Sequence, residues 1–287
     1  MSYQIITDSC CDLTEQQLQE LNVTCANLTV MYNGENHTSF SEPTAVKAFY
    51  DEVRGGGMAT TAAANPDDWA QLMKSALEEG KDVLVITFSG GMSTTYQSAV
   101  IAASELKEKY PDRKILVVDS LAASLGQGLL VWYACKKHSE GMSFEELGDW
   151  CENNKLNLCH WFTVDDLMFL KRGGRISAAT ALVGTMLQIK PVLHVDDEGH
   201  LINVAKARGR KASIEALAKK VGETGLPGEN ETVFISHGDC IEDVKILENI
   251  LKEKYGVKNV FTYYVGAVIG SHSGPGTIAL FFLGSKR

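Results

Sequence analysis

The sequence predicts an α/β protein of two domains: a wound, mostly parallel α/β sheet domain over residues 1–160, then a mixed α+β domain over residues 161–287. The first domain follows from three apolar runs of strand length: Gln4–Thr7, Asp82–Phe88 and Lys114–Val118. Each ends in hydroxyl residues and leads toward a helix-patterned stretch, the alternation that parallel strands with crossover helices produce. The second domain follows from a change of pattern near residue 160. Lys190–Val195 and His200–Ala205 flank the turn Asp196–Gly199 as a hairpin, and Val233–Val265 reads as a βαβ-like unit.

In chain order, Gln4–Thr7 is a strand closed by Asp8-Ser9. Asp12 then fits the N-cap of a helix over Leu13–Leu21, with Glu15 three residues on as in a capping box. Leu28–Met31 is a second strand, ending at the turn Asn33-Gly34, and Glu42–Val53 is a helix closed by the loop Gly55-Gly56-Gly57. Thr60–Ala64 reads as a connecting stretch. Pro66 and the acidic pair Asp67, Asp68 then open a helix to Glu79. After Asp82–Phe88 the helix Tyr96–Tyr110 follows. Beyond Lys114–Val118 come Asp119-Ser120 and a helix entered through Ser124–Gly128 and reaching His138. Ser143–Asn154 is helical, starting with Ser143 three residues before Glu146.

In the second half, His160–Val164 is a short strand and Asp165–Leu170 a short helix. Ser177–Gln188 is a nearly uncharged apolar helix that should be buried. The hairpin is followed by a helix over Lys206–Val221. The βαβ-like unit comprises Val233–His237, a helix over Asp239–Tyr255, and Val260–Val265. The glycine-rich stretch Gly266–Gly276 reads as a loop before the apolar strand Thr277–Phe282.

Composition narrows the function. With 287 residues and 45% hydrophobic content the chain can bury a sizeable core. A net charge of -9 disfavours nucleic acid as main partner, because phosphate binding wants a basic surface. No apolar run approaches the ~20 residues of a membrane span, and Met1–Thr7 runs straight into a strand. Seven cysteines with no CxxC spacing read as reduced thiols, so a cytoplasmic protein is expected. A P-loop, HExxH and a complete GxSxG are all missing, and Gly126-x-Gly128 lacks the third glycine of a dinucleotide fingerprint. No metal and no cofactor is expected.

The stretch with chemistry in it is Ile86–Ala99. A strand empties through Gly, Ser and Thr into a helix, placing amide and hydroxyl donors at the positive helix end, a place to hold an anion. Its plainer reading is a tight turn with a Ser or Thr cap. Thr61 precedes a helix in the same way as Ser93, and it too can simply cap or turn. His272 sits among Gly270, Ser271, Ser273 and Gly274, a setting that favours ligand contact over a structural role. Lys171, Arg172, Arg175, Arg208, Arg210 and Lys211 form local basic clusters on an acidic chain. They are either a solvated surface or a dock for phosphate or an acidic partner.

Together these residues resemble the DegV family of bacterial fatty-acid-binding proteins over nearly the whole chain. The resemblance is carried by Thr7-Asp8-Ser9 with Asp12-Leu13, Thr61, Ser93-x-Thr95-Tyr96-Gln97-Ser98-Ala99, and Asp119-Ser120. Gly173-Gly174-Arg175-Ile176, Lys190-Pro191 and His272-Ser273-Gly274-Pro275-Gly276 complete it. Ala62–Asn65 and Gly90, Gly91 and Thr94 depart from the family pattern. The resemblance implies two domains holding a long-chain fatty acid, with its carboxylate at Thr61 and Ser93, near His272. Thr95 and Ser273 complete the expected ligand set. It also implies presentation of that carboxylate to a separate ATP-dependent fatty acid kinase, for acyl-phosphate formation, without catalysis by this chain. Arg172, Arg175, Arg208 and Arg210 are the expected docking residues for that partner. Burial of ~0.8 kcal/mol per methylene gives a long acyl chain roughly 10 kcal/mol before ordering costs. The competing reading is an enzyme, either a Ser93/His272 acyl hydrolase or a phosphotransferase subunit related to dihydroxyacetone kinase.

Overall fold

The computed structural model describes residues 2–287 except 39–42, 178–187, 227 and 229. Most of the apolar helix expected over Ser177–Gln188 lies outside the described residues. The first sheet has the order β2-β1-β6-β7, with β1 Tyr3–Asp8, β2 Thr24–Ala26, β6 Asp82–Thr87 and β7 Ile115–Asp119. All its pairings are parallel. Strands β1 and β6 are buried along their whole length, which is why they read as unbroken apolar runs and not as alternating ones. Helices α3 Pro66–Glu78 and α4 Thr95–Lys109 pack on one face; α5 Leu125–Ser139 and α6 Phe144–Asn154 pack on the other.

The second sheet has six strands in the order β10-β9-β8-β13-β11-β12. These are β8 Leu158–Thr163, β9 Ile189–Val195, β10 Leu201–Arg208, β11 Thr232–His237, β12 Asn259–Tyr264 and β13 Ile278–Leu283. All its pairings are antiparallel except β11 with β12, the βαβ unit expected around the helix Ile241–Tyr255. One face of this sheet packs on α5 in the same core as the first sheet. Its other face is covered by the helices Arg210–Thr224 and Ile241–Tyr255. Helices in chain order are α1 Glu15–Glu20, α2 Pro43–Arg54, α3 to α6 as above, and α7 Leu167–Arg172. Then come α8 Arg210–Thr224, α9 Ile241–Tyr255 and α10 Ala267–Ser273.

Four expectations are corrected. The cap of α1 is Thr14, boxed with Gln17; Asp12 instead ends a short 3-10 turn at φ 52 and is buried. The helix expected from Lys206 starts only at Arg210, because Lys206 and Arg208 are still paired in β10 with Pro191 and Ile189. Thr60–Ala64 is not merely a connection. Ala59–Ala62 is a strand, β5, of a small antiparallel sheet with β3 Thr29–Tyr32 and β4 Glu35–His37. Gly266–Gly276 is largely the helix α10.

The small sheet matters for position. Its core, with Val30, Val46, Phe49, Tyr50 and Val53, also contains Ala267 of α10. The Tyr50 hydroxyl donates to the Val265 carbonyl at 2.7 Å, and Arg54 binds the Asp239 carbonyl at 2.6 Å. Residues early in the chain are thereby locked onto the start of α10.

Candidate functional site

Strand ends and side chains build the loop after β6. The buried Asp8 carboxylate, at the end of β1, accepts from the Phe88 amide at 2.7 Å and the Cys10 amide at 3.0 Å, while burial raises its pKa to about 6. Asp119, at the end of β7, accepts from the Gly90 and Leu121 amides at 3.1 and 3.0 Å. The Gly91 amide donates to the Ser89 hydroxyl, those of Met92 and Ser93 donate to the Ser89 carbonyl, and that of Thr95 donates to Ser93 Oγ. These amides have protein partners, so they do not present the bare N–H cradle that the sequence pattern suggests. What the loop turns outward is side-chain chemistry. Its glycines have a steric reason: a Cβ on Gly91 would stand 2.7 Å from the Glu198 carbonyl oxygen, at the tip of the β9–β10 hairpin. The Ser89 hydroxyl donates to Gly199 of the same tip at 2.9 Å.

Facing this loop is a cavity of about 510 Å³, within the roughly 300–1,000 Å³ range of small-molecule sites. One wall is the second sheet, through Phe162 of β8 and Ala279 and Phe281 of β13; another is α10, through Ile269, His272 and Ser273. Phe88, Met92 and Ser93 come from the loop after β6. Leu28, Leu170 and Val195 add to a mainly apolar lining. An outer cleft of about 280 Å³, lined by Met58, Phe169, Arg172 and Ser271 among others, shares Thr61, Arg175 and His272 with it. Those three side chains therefore stand where the cavity meets the cleft.

Their geometry is specific. Thr61 Oγ1 lies 2.8 Å from His272 Nε2. Burial, and secondly the Arg175 charge, pulls the His272 imidazole down to about 4, so it is neutral at pH 7. Arg175 donates through Nε and Nη2 to the Met92 carbonyl at 3.2 and 3.1 Å, and through Nη1 to the Gly173 carbonyl. A half-buried guanidinium, a neutral imidazole and two hydroxyls, Thr61 and Ser93, line one end of an apolar cavity. That set can hold a carboxylate by charge-assisted hydrogen bonds.

The family model that matches the chain describes uncharacterised proteins of the DegV family, and it covers residues 2–285. The chain belongs to the DegV family. A DegV domain-containing protein of Clostridium perfringens is 43% identical over 284 residues, covering 99% of this chain and 98% of the relative. A DegV protein of Thermus thermophilus, solved in a study of its fatty acid binding, superposes with a TM-score of 0.88 at 34% identity, covering 99% and 100% of the two chains. DegV of Bacillus subtilis, a fatty acid binding protein, gives 0.82 at 30% identity, with 99% and 100% covered.

In this DegV chain the five expected ligand residues are not equivalent. Thr61, Ser93, His272 and Ser273 line the cavity. Thr95 is fully buried behind Ser93, its hydroxyl 2.8 Å from Ser93 Oγ, and it orients that group without lining the cavity. Thr61 reaches the site from a strand, and His272 from the last turn of a helix, not from a helix start and a loop. The four expected docking arginines divide. Arg172 and Arg208 are exposed, Arg172 stacking over the Phe169 ring at 4.4 Å. Arg175 belongs to the cavity. Arg210 is engaged with Asp243 at 2.8 Å and Asp165 at 3.6 Å, tying the start of α8 to the start of α9 and the turn after β8. Arg175 was identifiable in sequence only as one basic residue after two glycines; no spacing signalled that its guanidinium turns inward. Among the described residues no His, Cys, Asp and Glu group could hold a metal ion, and no helix is long and apolar enough to cross a membrane.

Proposed function

We propose that this protein binds a long-chain fatty acid, with its acyl chain in the cavity and its carboxylate at Thr61, Ser93, His272 and Arg175. The observation that carries the reading is the Thr61–His272 pair beside Arg175 at the junction of the cavity with the outer cleft. An acyl chain gains from leaving water, and the carboxylate avoids the cost of an unpaired buried charge. If His272 donates its Nε2 proton to Thr61 Oγ1, the threonine hydroxyl is free to donate to the carboxylate. The fatty acid binding of the Thermus thermophilus and Bacillus subtilis relatives supports the same ligand class.

We further propose that the carboxylate is presented through the outer cleft to a separate ATP-dependent kinase that forms the acyl phosphate. Arg172, on the cleft, and exposed Arg208 are the docking residues retained in this reading. The hydrolase alternative has less support, since a nucleophile needs its base within hydrogen-bond reach. Ser93 is bonded to Thr95, and His272 to Thr61. Mass spectrometry of a solvent extract of the purified protein tests the binding reading: a co-purifying long-chain fatty acid is expected. No lipid in the extract, together with no uptake of added fatty acid, overturns it. Ester cleavage or ATP consumption by the protein alone would overturn the carrier reading.

A further inference from the structure

A polar belt crosses the apolar cavity away from the head-group end. Ser124, at the start of α5, and Ser236, on β11, both line the cavity, and their hydroxyl oxygens are 2.8 Å apart. Ser236 is fully buried and Ser124 is 4% exposed. Behind them Ser124 Oγ donates to the carboxyl of Asp12, which also receives the Gly266 amide. Burial pushes the Asp12 carboxyl up to about 7, well above the usual carboxylate range, which brings its protonated, donating form within reach near neutrality. The backbone is strained to make the contact: Ser124 has φ 56 and ψ -147, outside the ordinary regions of a side-chain-bearing residue. Ser124 serves Asp12 in this relay, but a cavity meant only for methylenes gains nothing from the Ser236 hydroxyl, and alanine at 236 would serve it.

The same wall holds a second polar group. His160, on β8, is 1% exposed and also lines the cavity. Its Nδ1 lies 3.0 Å from the Leu158 carbonyl, which can only accept, so Nδ1 carries the proton. Its Nε2 lies beside Gly126, the second residue of α5, and has no partner among the described residues. The relay is anchored at Gly266, the cap of α10, and His272 lies in the last turn of that helix, six residues later. The anchor of the relay and the head-group histidine are therefore at opposite ends of α10, about 9 Å apart along its axis.

Resting on the fatty-acid reading above, we propose that the cavity is built to accept a fatty acid with a mid-chain hydroxyl, which hydrogen-bonds to Ser236 and Ser124. In an apolar cavity such a hydroxyl would lose its water partners without compensation. A site that offers partners to a substrate hydroxyl instead discriminates in its favour. The relay can reverse its hydrogen-bond direction through Asp12, so Ser236 can either donate to the hydroxyl or accept from it.

The test is competition binding on the delipidated full chain, with octadecanoate and its 9-, 10- and 12-hydroxy derivatives. At least one hydroxy acid should bind within threefold of octadecanoate or tighter, and Ser236→Ala should lower that hydroxy-to-plain affinity ratio about tenfold. Should Ser236→Ala fold poorly, Ser124→Ala reads the same ratio. If all three hydroxy acids bind the wild type more than threefold more weakly than octadecanoate, or if Ser236→Ala leaves the hydroxy-to-plain ratio unchanged, the inference is wrong and the fatty-acid reading stands. If octadecanoate itself does not bind, the fatty-acid reading falls, and this inference with it.

Discussion

Half-buried His272 and buried Asp12 have pKa values displaced in opposite directions, and each carries a prediction at the residue scale. Thr61→Val and His272→Ala each remove one partner of the 2.8 Å pair. Losing a hydrogen bond to a charged group costs roughly 1.5–3 kcal/mol, so fatty-acid affinity should fall by about tenfold or more in a fluorescent fatty-acid titration. Arg175→Met should weaken binding further, since it removes the cation and also frees the Met92 carbonyl. The pH dependence has a definite sign. His272 falls from 6.5 to about 4, so its contribution is complete above pH 6.5 and is lost as pH drops toward 4. Asp12 rises from 3.8 to about 7, so its contribution is present below pH 3.8 and is lost as pH rises through 7. Asp12→Asn should therefore become more stable relative to wild type between pH 4 and 8, read from denaturant midpoints. A constant difference across that range would contradict the burial of an ionisable Asp12.

At the scale of elements, the site depends on contacts between segments far apart in sequence. The β9–β10 hairpin tip closes over Gly91, where a side chain would stand 2.7 Å from the Glu198 carbonyl oxygen. Gly91→Ala should lift that tip, loosen the Ser93 loop and lower fatty-acid affinity. Unchanged affinity and unchanged thermal stability in the variant would show that the hairpin does not brace the site. Arg210 pins α8 to α9 through Asp243 and to the turn after β8 through Asp165. Arg210→Glu should cost on the order of 2 kcal/mol of stability, below the value for a fully buried pair because both carboxylates keep some water. Exposed Arg208 makes the contrast: Arg208→Glu should leave stability within about 0.5 kcal/mol and, under the docking role proposed for it, lower only turnover with the proposed kinase.

For the molecule as a whole, a ligand that binds only the folded state stabilises it by mass action. Fatty acid at a hundredfold excess over its Kd adds about 2.7 kcal/mol, which raises Tm by roughly 4–5 °C in a chain of this size. A melting curve of the delipidated protein with and without fatty acid measures this, and an unchanged midpoint would count against a ligand enclosed by the fold.

What the sequence determined by itself was local. Apolar runs at strand length located β1, β6, β7, β8 and β13, and the turn at Asp196–Gly199 located the hairpin, because patterning and turn chemistry act over a few residues. Short motifs also marked Thr61, Ser93 and His272. Of the small sheet only β3 was legible, as the strand Leu28–Met31 before the turn Asn33-Gly34: β4 and β5 are only 3 and 4 residues long, half exposed, and lack an apolar alternation of their own. Tertiary structure decided which side chains meet. It took Arg175 and Arg210 off the surface, turned Thr95 behind Ser93, and used the loop amides on Asp119 and Ser89. It joined Asp12 to Ser124 across 112 residues and Thr61 to His272 across 211. No local pattern encodes such pairs, because the free energy that fixes them comes from burying the sheets and α10 against one another.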